Sequence, residues 1–150
     1  MAAPILQTEI EIDAPVDKVW GLVSNLSLMP QWSPQCRKMK LLGPLRPGTR
    51  TLNLNRRNKL FWPTTSTIVE VVPEKKLAFR VDANKTVWCY ELEPTATGTR
   101  LIETRHAENG VTAISAALTK TVLGGVEIFE QELIEGMNQG LARIKAAAER

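Results

Sequence analysis

One histidine, His106, is the chain's entire supply of imidazole, so any proton transfer by a histidine must pass through it. Beside it, Leu101, Glu103 and Arg105 alternate along the same run and share a face if that run is a strand. On an inward face, Glu103 and Arg105 make a buried polar pair able to hold a ligand's hydroxyl or carboxylate. On an outward face they are a surface pair of little energetic weight. A one-residue slip in the pairing of the last two strand-like runs exchanges the two outcomes. Upstream, Trp88, Tyr90 and Leu92 share one face of their run, and Leu77, Phe79 and Val81 share one face of the run before it. Both triplets are expected to face inward, either as plain core or as pocket lining with indole and phenol donors. The candidates for moving a proton are therefore His106, Glu103 and Tyr90, with no nucleophile or orienting carboxylate next to His106 to complete a catalytic set.

The remaining chemistry is thin. His106-Ala107-Glu108 matches the first half of a zinc deaminase signature, but no Pro-Cys-x-x-Cys follows, and Cys36 and Cys89 both lie upstream and alone. Zinc-protease, phosphate-cradling, serine-hydrolase and dinucleotide motifs are all absent. The sequence therefore predicts no metal and no cofactor. Trp32 and Trp62 stand in turn or strand-end contexts, which makes them candidates for gating residues or a partner surface.

The 150 residues carry 19 Lys and Arg against 16 Asp and Glu, 43% hydrophobic and 23% charged, the usage of one ordinary folded domain. Two basic clusters, Arg37-Lys38-Met39-Lys40 and Arg56-Arg57-Asn58-Lys59, read as solvated strand ends or turns. No continuous basic face or reading motif points to nucleic acid. No apolar run approaches the roughly 20 residues that cross a bilayer, and residues Met1 to Ile10 lack the pattern of an export signal. A cytoplasmic chain with free thiols is the expectation.

The elements that must position these residues follow from periodicity. Residues 5–12 alternate as a half-buried strand. Asp13-Ala14-Pro15 then supplies a capping residue and a first-turn proline for a helix whose apolar face is Val16, Val19, Trp20 and Val23. A short second turn spans Leu26 to Trp32. Six further strands are predicted near 36–42, 49–57, 60–72, 76–83, 86–93 and 99–107, separated by Gly- and Pro-containing turns. Pro63 marks a bulge, an edge or a later strand start at Thr64. From Ile114 to Ala148 apolar residues recur only by threes and fours, a long amphipathic helix with a break or hinge expected at Gly124-Gly125. Within it, Gly136 and Gly140 either admit close helix–sheet packing or leave volume unfilled.

This order of elements resembles the START-like helix-grip superfamily (SRPBCC), and more narrowly its polyketide cyclase/dehydrase-type branch. The resemblance is carried by Ile12-Asp13-Ala14-Pro15-Val16-Asp17-Lys18-Val19-Trp20, Met29-Pro30-Gln31-Trp32-Ser33-Pro34, Pro47-Gly48-Thr49, Gly98-Thr99-Arg100-Leu101-Ile102-Glu103-Thr104 and Gly140-Leu141-Ala142-Arg143-Ile144-Lys145. It implies an α+β fold over residues 1–150, in which a seven-stranded curved antiparallel sheet wraps a long C-terminal helix, with two short helices between strands 1 and 2. It further implies a cavity between sheet and helix that holds a hydrophobic small molecule such as a lipid, sterol or polyketide. The residues expected to line it are Trp32, Trp62, Phe79, Trp88, Tyr90, Glu103, Arg105, Phe129 and Met137. Binding or carriage is the first reading; the alternative is a cyclase or dehydratase using the same cavity. A regulatory chain meeting a protein partner through the helix or Trp32 is a third class.

Overall fold

The computed structural model describes residues 5–107 and 126–150. Strand β1 (Ile5–Ile12) is followed by helix α1 (Val16–Val23), a 3-10 turn (Leu26–Leu28) and a one-turn helix α2 (Met29–Trp32). Strands β2 (Cys36–Leu41), β3 (Arg50–Arg57), β4 (Leu60–Val72), β5 (Lys76–Val81), β6 (Val87–Pro94) and β7 (Thr99–His106) run in succession to helix α3 (Val126–Ala148). The seven strands form one antiparallel sheet in the order β1-β7-β6-β5-β4-β3-β2. Consecutive hairpins account for every neighbour except β1, which closes onto β7. The two short helices cross from one sheet edge to the other, and α3 lies across the inner face, touching β1, β7, α1 and α2.

Local chemistry explains the joints. Residue Pro15 itself stands at the N-cap of α1, with no side-chain cap. The expected cap, Asp13, lies too far upstream, and its backbone N–H instead donates to the Glu149 carboxylate at 2.7 Å. The β3–β4 hairpin closes through Asn58-Lys59 with Asn58 at φ 56°, a conformation that asparagine tolerates better than most residues. Residue Pro63 sits within β4, opposite Leu54. The Thr65 carbonyl accepts from Asp82 N–H, so residues of that parity turn their backbone polar groups toward β5. At Pro63 β5 has already ended, and the missing donor faces an open edge. Register shifts at Ile68/Glu70 and Cys36/Lys38 add bends to the sheet.

The interior is divided along α3. Its C-terminal half packs solidly: Leu141, Ile144 and Ala148 join Ile12, Val19, Val23 and Leu101, all at 3% exposure or less. Its other half, from Glu132 to Gly140, stands over open volume. Gly140 explains how α3 is held there. A Cβ at this position would lie 2.8 Å from the Trp32 carbonyl oxygen, and one at Gly136 would lie 3.2 Å from Pro34 Cγ. The small residues thus serve close approach, but to the Trp32–Pro34 segment rather than to the sheet. Gly124 and Gly125, where a hinge was expected, lie outside the described residues.

Candidate functional site

The register of the last hairpin answers the question about Glu103. Tyr90 pairs with Glu103 and Trp88 with Arg105 across β6 and β7, while Leu77 and Phe79 pair with Tyr90 and Trp88 across β5 and β6. All of these, together with Leu101, point to the inner face; Leu101 is fully buried, Arg105 is 3% exposed and Glu103 6%. Leu77 and Leu101 are packed in the core, while under α3 Phe79, Trp88, Tyr90, Glu103 and Arg105 border a cavity of about 430 Å³, within the ~300–1,000 Å³ typical of small-molecule sites.

The walls differ in character. Phe79, Trp88, Met29, Met39 and Met137 supply apolar surface. On the β3–β4 side the lining is polar but internally satisfied. Asn53 and Asn55 both donate to Thr64 Oγ1, at 3.2 and 3.0 Å, Thr51 donates to Asn53 Oδ1 at 2.8 Å, and the Thr51 and Ser66 hydroxyls bond each other. Toward one end, the guanidinium of Arg57 grips the Glu132 carboxylate through two bonds of 2.9 and 2.7 Å, joining the β3 end to α3. This pair is partly solvated, so its value lies more in setting the spacing of hairpin and helix than in stability.

Four polar groups remain inside. Glu103 is pushed up to about 8 by burial, and the neighbouring Tyr90 hydroxyl only partly offsets that. Tyr90 is itself raised well above its ordinary value, by burial first and then by the neighbouring Glu103 charge. The pair therefore holds a proton at neutral pH that a free glutamate would have lost. Arg105 does not pair with Glu103 as an inward face suggested; its guanidinium meets Glu130 of α3 at 3.1 Å. Lastly, the indole N–H of Trp32 is buried with no acceptor among the described residues, although Trp32 borders the cavity. A donor in that state is a ready partner for a ligand oxygen, because burial without a bond is unfavourable by about 1–3 kcal/mol.

Of the residues singled out from the sequence, Trp32, Trp62, Phe79, Trp88, Tyr90, Glu103, Arg105 and Met137 all border this one cavity. The side chain of Phe129 lies outside the described residues. His106 is elsewhere: it follows Ile102 and Thr104 onto the opposite face of β7 and does not line the cavity. Trp32, only 4% exposed and packed in the core, offers no surface to a partner, because α3 closes over it at Gly140. Sequence reasoning missed Asn53, Asn55 and Thr64. Their signal was present, as Leu52 and Leu54 alternate with Asn53 and Asn55, but polarity alone would have sent the leucines inward. Among the described residues, no cluster of three or more His, Cys, Asp or Glu side chains could hold a metal ion.

Comparison with known proteins bears on the whole chain. The family model for polyketide cyclase / dehydrase and lipid transport matches residues 4–149. Among solved structures, the fold is similar to the Zhui aromatase/cyclase of Streptomyces sp. R1128, at TM-score 0.72 and 15% identity over 97% of this chain and 93% of that one. It is also similar to the di-domain ARO/CYC StfQ of the steffimycin biosynthetic pathway, at TM-score 0.78 and 15% identity, covering 97% of this chain and 50% of StfQ. A protein from Nitrosomonas europaea aligns at TM-score 0.69 and 21% identity over 95% and 92% of the two chains. No curated protein matches the sequence. With an inner cavity gripped between a seven-stranded sheet and a long helix, and a family match over nearly its full length, the chain belongs to the polyketide cyclase / dehydrase and lipid transport family.

Proposed function

We propose that this chain binds a hydrophobic small molecule, a lipid, sterol or polyketide-like compound, in the cavity beneath α3. The observation that supports this most is the combination of about 430 Å³ of space with an aromatic and thioether wall facing a few fixed polar groups. Apolar surface supplies the driving force for entry, while the protonated Glu103, Tyr90 and the Trp32 N–H orient a ligand carbonyl or hydroxyl. Trp32, Trp62 and Trp88 all border the space, so occupancy is readable as a change in intrinsic fluorescence. Titration with fatty acids, sterols and aromatic polyketides, alongside native mass spectrometry of freshly purified protein, is expected to give saturable quenching at micromolar ligand. No binding by any of these classes would refute the reading.

One observation favours a second reading, catalysis of cyclisation or dehydration on a polyketide-like substrate. Glu103 is a cavity acid poised near neutrality, as a general acid–base residue should be, and solved neighbours carry the name aromatase/cyclase. In this reading the cavity holds a reactive conformer of the chain to be cyclised. Glu103 gives or takes the proton, and the neighbouring Tyr90 hydroxyl tunes it by favouring the ionised form. Turnover of such a substrate, lost about 100-fold or more in Glu103→Gln with ligand binding retained, would support it. Turnover unchanged by both Glu103→Gln and Tyr90→Phe would remove it.

A further inference from the structure

Between Lys18 and Val69 the chain has no Asp or Glu, against nine Lys and Arg. This stretch includes β2, β3 and the first half of β4, and the fold brings its two basic clusters together. Across the outer face of the sheet, Lys40 pairs with Leu52, Lys38 with Leu54 and Arg56 with Phe61. The face is inverted from the usual polar exterior: Leu52, Leu54 and Phe61 are 50%, 38% and 55% exposed. The Arg56 guanidinium lies 5.3 Å over the Phe61 ring. Lys38, Lys40, Arg56 and Lys59 have no carboxylate partner among the described residues, whereas Asp82, beside Thr65 and across β4 from Leu52, is taken by Arg50, Thr65 and Thr67.

We propose that this outer face of β2, β3 and β4 docks on an anionic phospholipid bilayer. Apolar tips interleaved with long cationic side chains match the layered chemistry of that surface. Lysine and arginine heads sit among the phosphates while Leu52, Leu54 and Phe61 enter the acyl boundary. A uniformly acidic protein surface would satisfy the cations but leave the apolar tips without a partner. Among the described residues no helix is long and apolar enough to cross a membrane; the proposed contact is made at the bilayer surface by side chains of the sheet. The same arm carries Asn55 and Trp62 on its inner face, at the cavity wall, so docking brings the cavity close to the bilayer. That consequence for ligand exchange rests on the hydrophobic-ligand reading; the docking itself does not.

The test is co-sedimentation of the full chain with vesicles of phosphatidylcholine, with and without a one-third share of phosphatidylglycerol. Binding is expected to the anionic vesicles only and to fall steeply with salt. Each of Lys38→Gln, Lys40→Gln and Arg56→Gln should weaken it about fivefold, and the triple variant about 100-fold. Leu54→Ser with Phe61→Ser should weaken it at low salt as well, an effect that a purely electrostatic contact would not show. These positions are exposed, and circular dichroism checks that each variant is folded. Equal sedimentation with the two vesicle types, or an unchanged triple variant, overturns the proposal, as does binding of an acidic protein by this face with no vesicle binding. Ligand titration by tryptophan fluorescence on the same triple variant separates the two failures: quenching retained while vesicle binding is absent leaves the cavity reading standing alone.

Discussion

Replacing Glu103 with glutamine should make the protein more stable at neutral and alkaline pH, by an amount that the burial of the carboxyl sets. Glu103 is 6% exposed and is raised from 4.5 to about 8, first by loss of hydration, with the neighbouring Tyr90 hydroxyl acting in the opposite sense. Below the unfolded value the carboxyl is protonated in both states, and its full contribution to stability is present. As pH rises above about 4.5 the unfolded chain releases the proton while the folded one keeps it, so stability declines by about 1.4 kcal/mol per pH unit. The decline ends near 8, where the folded group also ionises. The interval from 4.5 to 8 is 3.5 units, which corresponds to about 5 kcal/mol in all. Glutamine keeps the shape but has no proton to lose. Urea denaturation of wild type and Glu103→Gln, compared between about pH 5 and pH 7.5, should show the variant gaining about 3 kcal/mol relative to wild type. A difference that stays constant across this range would mean that Glu103 is hydrated in the folded state and that the cavity is wet at its base.

Two further outcomes follow from packing. Gly140→Ala gains about 1 kcal/mol of helix propensity but places a methyl 2.8 Å from a backbone oxygen, so net destabilisation of about 1–3 kcal/mol is expected by thermal melting. Gly21→Ala, inside α1 with nothing within 4 Å, should instead raise the melting temperature. The buried thiols of Cys36 and Cys89 are both pushed up to about 11 by burial, so they should react with an aromatic disulfide reagent at pH 8 only on unfolding. Rapid native labelling of either would contradict their placement.

Hairpin punctuation and period-two alternation made six of the seven strands legible to within two residues, and β1 to its ends, because turns and strands are local devices. The inward direction of Trp88, Tyr90 and Phe79 was readable for the same reason, since a strand with three large apolar residues on one parity has only one face to bury. Local pattern carried less where packing intervened. Asp13 has the chemistry of a cap, yet the chain turned into α1 only after Pro15 and left Asp13 to Glu149. His106 had the most suggestive side chain, and its parity on β7 sent it away from the cavity.

What composition and periodicity determined by themselves was the order of elements, an antiparallel sheet and a covering helix, since each rests on neighbours within a few residues. Three things needed the tertiary structure. The pairing of β6 with β7 placed Glu103 inside and lifted its proton affinity, because desolvation depends on what closes over a group rather than on its neighbours in the chain. The match of Gly140 to the Trp32 carbonyl seated α3 against α2, leaving its first half over a hollow. The third was the orientation of β3: Asn53 and Asn55 line the cavity, and Leu52 and Leu54 are turned to solvent beside Lys38 and Lys40. A strand's polarity pattern names two faces, and only the arrangement of the other strands decides which of them is the interior.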